Sequence, residues 1–377
     1  MKILLVEPYY TGSHKSWAEG YARSSSHQVD ILSLPGRFWK WRMHGGAVTL
    51  ARKFLELDQL PDLILATDML DLTTFLALTR QRTSNIPTAI YFHENQLTYP
   101  WSPTDRDIAQ KRDKHYGFIN YTSALAADAV LFNSRYHQES FLEALPNLLK
   151  HFPDYNELNS VEQIREKSKV LPLGLDLQRF DEFGQQPPNE KPLILWGHRW
   201  EYDKGPEEFF KALTILSEQG VDFELAVLGE NFSRQPEVFL SAEKTLAKHT
   251  VQFGYADTFA DYAHWLWQAD IVPVTSNQDF FGASVVEALY CGCFPLLPNR
   301  LAYPTIIPSE YRPQCFYTDF DDLVSRLKAA ITNINQTRQF SLRDVVAQYD
   351  WHTQGELYDK LFLELNAGVA VRDIKHK

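Results

Sequence analysis

Two acidic side chains, Asp279 and Glu287, stand eight residues apart on either side of Phe280-Phe281-Gly282. An apolar run, Ala269–Thr275, precedes them and an apolar segment of helical spacing follows, so the stretch reads as strand, turn and helix with Glu287 about one turn in. Carboxylates so placed can hold hydroxyls at two points of one elongated ligand, while unpaired backbone N–H groups at the helix start face the same space. A nucleotide-sugar, with a ribose at one end and a hexose at the other, has that shape. A capped core helix with solvated acids accounts for the spacing equally well.

Two cations form a second constellation. Arg199 and Lys204 lie five residues apart after the apolar run Leu193–Trp196 and before Gly205-Pro206 and a helix pattern over Glu207–Gln219. At a helix start such a pair can neutralise a diphosphate. In the N-terminal half the chemistry sits at the ends of apolar runs. Lys2–Val6 leads to Glu7 and then Gly12-Ser13-His14-Lys15, with a helix pattern from Ser16. The loop lacks a full G-x-G-x-x-G, so phosphate cradle and plain tight turn both fit. Thr88–Phe92 delivers His93-Glu94-Asn95-Gln96, and Ala126–Phe132 delivers Asn133-Ser134. A polar tetrad straight after an apolar strand is costly unless it meets ligand or solvent. Arg37-Phe38-Trp39-Lys40-Trp41-Arg42 lies in a segment, Pro35–Gly46, that reads as a loop. Its aromatics and cations can stack on unpaired bases and meet phosphates, or pack an ordinary loop against a helix.

The elements that must position these groups alternate strand and helix along the chain, the pattern of parallel, doubly wound α/β domains. At 377 residues the chain is long for one core. We expect two domains: 1–182, rejoined by a helix over Thr353–Leu365 within 353–377, and 183–352, with the Pro-rich polar stretch Phe183–Pro192 as linker. Trp101–His115, with Arg106, Lys111, Arg112 and Lys114, reads as an exposed loop or helix. The net charge is −11, but residues 1–175 hold 19 basic and 19 acidic side chains and the remainder 18 and 29. An anionic partner should therefore meet the neutral half, where residues 37–53 carry five basic side chains and no acid. No apolar stretch reaches membrane-spanning length, and Glu7 comes too early for a signal peptide. Three cysteines, Cys291, Cys293 and Cys315, suit neither a disulfide framework nor a zinc set. These features point to a cytoplasmic protein with no membrane span, no metal centre and no obligate protein partner evident.

Taken together, Gly197-His198-Arg199 with Lys204-Gly205, Val227-Leu228-Gly229-Glu230, Asp279–Gly282 with Glu287-Ala288, and Leu173–Asp176 with Arg179-Phe180 resemble the retaining glycosyltransferases of the GT-B fold, family 4. Gly12–Lys15, Trp41-Arg42, Tyr91–Leu97 with Tyr99-Pro100, Phe132–Ser134, His198–Glu201 and Tyr290–Cys293 are similar to a narrower branch, the tRNA-queuosine mannosyltransferases. The likeness runs nearly end to end, thinning over residues 143–170 and after Pro308.

That resemblance implies two Rossmann-like domains facing a cleft and a metal-free, cofactor-free transfer of mannose from GDP-mannose to queuosine in the anticodon loop of tRNA(Asp). Arg199 and Lys204 would stabilise the departing diphosphate beside the Gly12 backbone, and Glu287 would hold the ribose. Asp279 with the amides of Phe281, Gly282 and Ala283 would hold the hexose, His93 would orient the sugar, and the base would meet Phe253, Gly254 and Tyr255. His14, Lys15, Asn95, Gln96 and Asn133, with Trp39, Lys40, Trp41 and Arg42, would face the tRNA. The family commonly has Glu where this chain has Asp279, which leaves the identity of the sugar open. The residues also allow a hexosyltransferase with another donor or a lipid or glycan acceptor, or an inactive nucleotide-sugar- or RNA-binding protein.

Overall fold

In the computed structural model, residues 1–102, 105, 107, 114–184, 187–229 and 236–375 are described. Arg106, Lys111, Arg112 and Glu230, singled out above, lie outside the described residues. The chain forms two compact units, Met1–Gly174 with Trp351–Lys377, and Leu175–Asp350.

The first unit is built on β1 (Lys2–Tyr10), β2 (Gln28–Pro35), β3 (Leu63–Thr67), β4 (Thr88–Phe92), β5 (Ala129–Phe132) and β6 (Ser168–Val170), in the spatial order β2-β1-β3-β4-β5-β6. Every pairing is parallel. β3 and β4 are buried along their whole length, as a parallel strand covered on both faces must be, and this is why they read as unbroken apolar runs. The second unit repeats the plan with β7 (Leu193–Trp196), β8 (Glu224–Val227), β9 (Thr250–Phe253), β10 (Ile271–Pro273), β11 (Phe294–Pro298) and β12 (Phe316–Tyr317), in the order β12-β11-β10-β7-β8-β9. In both sheets the strands point the same way, so polar residues that follow the strands collect along one edge.

Two sequence expectations are corrected. Pro35–Gly46 is not all loop: a helix runs Trp39–Leu55, its first turn opened by Phe38 in the left-handed region at φ 55°. No Ser, Thr, Asp or Asn caps it, so no sequence signal marked its start. The first helix begins at Gly12 rather than Ser16, because Gly12 takes φ 49° and turns the chain directly out of β1. The sixth strand pairs with β5 through Ser168–Val170.

The chain leaves the first unit at Gly174, ahead of the Pro-rich stretch. Leu175 bridges to Asp350, and Phe180 is buried against Phe259 and Tyr262, so these apolar residues belong to the second core. The helix Trp351–Lys375 returns to the first unit, as expected. Trp17 Nε1 donates to Tyr358 Oη at 3.1 Å, and Asp359 accepts from the hydroxyls of Tyr21, Ser25 and Ser26. The Trp351 ring lies against Gly20 and Gly174, where any Cβ would collide with it. No helix of the described residues is long and apolar enough to cross a membrane.

Replacing Trp351 with Ala empties that slot, and we expect a loss of about 3–5 kcal/mol in the first unit. Urea denaturation followed by fluorescence checks it; an unshifted midpoint refutes the wedge.

Candidate functional site

In the first unit the strand ends converge on a buried polar cluster. Glu7, at the close of the apolar part of β1, is fully buried; its Oε1 accepts from the Tyr9 amide at 2.7 Å and its Oε2 lies 3.0 Å from His14 Nδ1. Beyond β3, Asp68 accepts the backbone N–H of His93 at 2.8 Å. His93 follows β4, and its ring packs 4.3 Å from His14 and edge-on to Trp17 at 4.6 Å. After β5, Asn133 donates to the His93 carbonyl and its Oδ1 lies 2.9 Å from His137 Nδ1.

The two neighbouring histidines are driven to opposite charge states. Burial alone would discharge His14, but the charge and hydrogen bond of Glu7 outweigh it and hold its pKa up at about 9. Burial lowers that of His93 well below the usual value, and the charge of His14 adds to the effect. His93 is therefore neutral at physiological pH, and its Nε2 is buried without a hydrogen-bond partner. Burial also raises the carboxyl of Asp68 well above its ordinary range, against the pull of His14. Glu7, His14 and His93 bring donor atoms within 4.8 Å of one another, the geometry of a three-ligand metal set.

Asn95 serves the backbone and Gln96 a neighbouring side chain. Asn95 Oδ1 accepts from the amides of Leu97 and Thr98, and Gln96 donates to Glu94. Lys15 stays exposed, 3.8 Å from Glu19. The basic-aromatic group divides. Lys40 is clamped by Asp105 at 2.6 Å and Asp107 at 2.5 Å and lies over the Trp39 and Trp101 rings. Trp39 packs on Tyr116, and Arg42 Nε donates to the Pro35 carbonyl, whereas Trp41 is 64% exposed.

In the second unit Lys204 closes a short 3-10 turn after β7, and Gly205 at φ 66° starts the helix Pro206–Glu218. A Cβ at Gly205 would strike the Thr275 carbonyl, so the turn sits tight on the segment after β10. Lys204 is 7% exposed; its ammonium donates to the Gln278 carbonyl (2.6 Å) and Asp279 (3.0 Å) and lies 3.3 Å from the Asp203 carboxylate. Burial would lower its pKa, but the two carboxylates raise it. Asp279 in turn takes Tyr303 Oη at 2.5 Å on its other oxygen. Burial raises its carboxyl, yet Lys204, His198 and Tyr303 hold it below the usual range. Arg199 keeps a 48% exposed side chain, 3.4 Å from Glu201. His198 was not singled out from sequence as a site residue. Burial pushes its pKa down to about 4, its Nδ1 meets Ser284 Oγ at 3.1 Å, and its Nε2 has no protein partner.

Glu287 projects from the helix Ala283–Tyr290, which Gly282 opens at φ 88° beside the buried Phe281. Tyr262 donates to its Oε2 at 2.7 Å. Burial lifts its pKa to about 7, against that hydrogen bond. It lines a cavity of about 360 Å³ with Gly197, Gly229, Tyr255, Asp257 and Thr258. Phe253, at the end of β9, instead packs its ring on Trp200, and Gly254 turns the chain beyond it at φ 132°. Tyr262 and Tyr303 were missed because each reaches the site from an element distant in sequence, whereas Asp257, two residues beyond Tyr255, was overlooked beside it.

A family model described as tRNA-queuosine alpha-mannosyltransferase N-terminal matches residues 2–175, and one described as glycosyl transferases group 1 matches residues 178–341. The tRNA-queuosine alpha-mannosyltransferase of Drosophila melanogaster is 35% identical over 317 residues, covering 82% of each chain. Among solved structures, Anabaena HepE with UDP and glucose aligns at a TM-score of 0.65 and 14% identity, over 96% of this chain and 99% of that one. Sucrose-phosphate synthase from Thermosynechococcus elongatus aligns at 0.68 and 15%, over 98% and 100%. At such identities these two speak for the fold alone.

The ion network separates the two cations. Lys204→Ala strands two buried carboxylates and should cost about 3–5 kcal/mol, while Arg199→Ala should stay within about 0.5 kcal/mol. Chemical denaturation of both variants decides it, and equal shifts would contradict the network.

Proposed function

The chain belongs to the tRNA-queuosine alpha-mannosyltransferase family of GT-B glycosyltransferases, and we propose that it moves mannose from GDP-mannose, with retention, to the cyclopentene diol of queuosine in the anticodon loop of tRNA(Asp) in the cytoplasm. The observation that carries the donor reading is the pairing of Glu287 and Asp257 on one cavity in the second unit. An ionised carboxylate only accepts hydrogen bonds. Guanine presents N1–H and N2–H₂ side by side and matches such a group in a bidentate fashion. Uracil offers a single N–H between two carbonyls and sets acceptor against acceptor. Tyr255, 62% exposed at the cavity, offers a face for the base to stack on. Tyr262 engages only Oε2 of Glu287, so Oε1 serves the ribose hydroxyls.

As the glycosidic C–O bond breaks, negative charge grows on the departing diphosphate, and preorganised cations lower that barrier. Arg199 is assigned this task because its guanidinium is about half exposed. Lys204 adds a fixed charge whose place Asp203 and Asp279 define. Asp279 is assigned to the hexose through lone pairs that Lys204 and Tyr303 leave open. To His93 falls the orienting of the sugar, through a neutral ring that adds no charge.

The direct experiment incubates the protein with queuosine-containing tRNA and GDP-mannose, UDP-glucose or UDP-galactose, then measures the nucleoside by mass spectrometry. One hexose gained from GDP-mannose alone is expected, and Asp257→Asn should erode the preference for GDP over UDP. No hexose gained from any donor sinks the proposal.

Glu287 makes the donor step pH-dependent. Its carboxyl must be ionised to accept from ribose, so KM for GDP-mannose should rise as pH falls through about 7. Glu287→Gln should give a high KM that no longer varies there. Since the folded-state value lies above the ordinary one, its stabilising contribution is complete at low pH and lost as pH climbs through about 7. The same variant should accordingly melt at a higher temperature than the parent in alkaline buffer. A flat KM profile in the parent would remove Glu287 from the ribose.

A further inference from the structure

Phe38 and Trp41 form an exposed aromatic pair at the start of the helix Trp39–Leu55. Phe38 is 77% exposed and Trp41 64%, the two most exposed large aromatic rings of this segment. Phe38 holds φ 55° and ψ 58°, a conformation costly for a bulky side chain and commonly found where function requires it. Its carbonyl accepts the amides of Trp41 at 2.9 Å and Arg42 at 3.1 Å, so the strained residue is locked to the helix it opens. One turn on, Gly45 lies under the Trp41 ring: a Cβ there would come 2.5 Å from Trp41 Cε2 and Cζ2. The indole thus rests on bare backbone, its orientation set by a residue that has no side chain. Trp39 and Lys40 face the other way, held by Tyr116, Asp105 and Asp107. Arg37 is exposed beside the pair, and no acidic residue occurs from 37 to 53.

We infer that Phe38 and Trp41 are a preset stacking platform for unpaired bases of an RNA loop, with Arg37 and Arg42 meeting its phosphates and Trp39–Lys40 acting as scaffold beneath. The inference rests on the reading that the acceptor lies in a tRNA anticodon loop, and goes beyond it by stating which residues grip the loop. Exposed aromatic rings flanked by cations are what single-stranded nucleic acid requires, since every base has a π-face whatever its sequence. Setting the Phe38 backbone and seating the Trp41 indole in advance lowers the cost of ordering them on binding.

The test measures binding of the full chain to a queuosine-tRNA anticodon stem-loop, to a fully paired RNA hairpin and to GDP, with melting temperatures alongside. Phe38→Gly accepts the positive φ without strain, so it should keep or raise stability while weakening stem-loop binding about 10-fold. Trp41→Ala should weaken it by a similar factor, and Gly45→Ala should weaken it too while keeping the indole. GDP binding should be unchanged in all three, and the losses should vanish on the paired hairpin. Lys40→Met, by contrast, should lower the melting temperature. Stem-loop binding by Phe38→Gly and Trp41→Ala equal to the parent's overturns the platform, even where the parent transfers hexose to tRNA. Losses confined to anionic phosphatidylserine vesicles overturn it in favour of a lipid surface. A parent that neither binds nor modifies tRNA rejects the functional reading itself.

Discussion

The second unit turns on one buried ammonium. Lys204 is held by two carboxylates and a carbonyl, and each of those groups lies on a segment that must come to it: the turn before the helix Pro206–Glu218, and the stretch after β10. A charge so deep is tolerated only when its partners are in place, because desolvation outweighs any incomplete pairing. The same bonds therefore fix the loop after β7 and the loop bearing Asp279 relative to one another. Tyr303 extends the constraint by tying the far oxygen of Asp279. The arrangement places Asp279 without leaving it free to titrate.

The first unit uses a different device for the same end. Two histidines in ring contact receive opposite fates from nearly identical burial, and the difference lies in what each faces. His14 meets Glu7 and keeps its proton; His93 meets His14 and gives its proton up. Parallel topology brings this about, since Asp68, His93 and Asn133 each follow a strand at the same sheet edge and Glu7 lies towards that end of β1.

Part of this was legible in the chain. Strands buried on both faces read as apolar runs, and the residues after them read as the polar edge, so the two-sheet plan and the placing of Arg199, Lys204 and His93 just beyond strands could be read directly, whereas their roles came only from what the resemblance implies. The pairings could not. Lys40 counts as a free cation in sequence, yet its partners Asp105 and Asp107 stand 65 and 67 residues away. Tyr262 and Tyr303 carry no local signal because a tyrosine within an apolar helix reads as core. Phe38 was hidden for another reason: a bulky residue gives no warning that it will take a backbone conformation suited to glycine.

The slot that Trp351 fills bears on how the molecule is made. Both walls of that slot, Gly20 and Gly174, have left the ribosome before any part of the second unit has. Throughout synthesis of Leu175–Asp350 the first unit waits with an open seam, while its successor holds all the residues its own core needs. Only when the last helix emerges can the seam shut. Order of translation and order of completion are thereby reversed, and a nascent product released early would carry a finished C-terminal lobe on an unsealed N-terminal one.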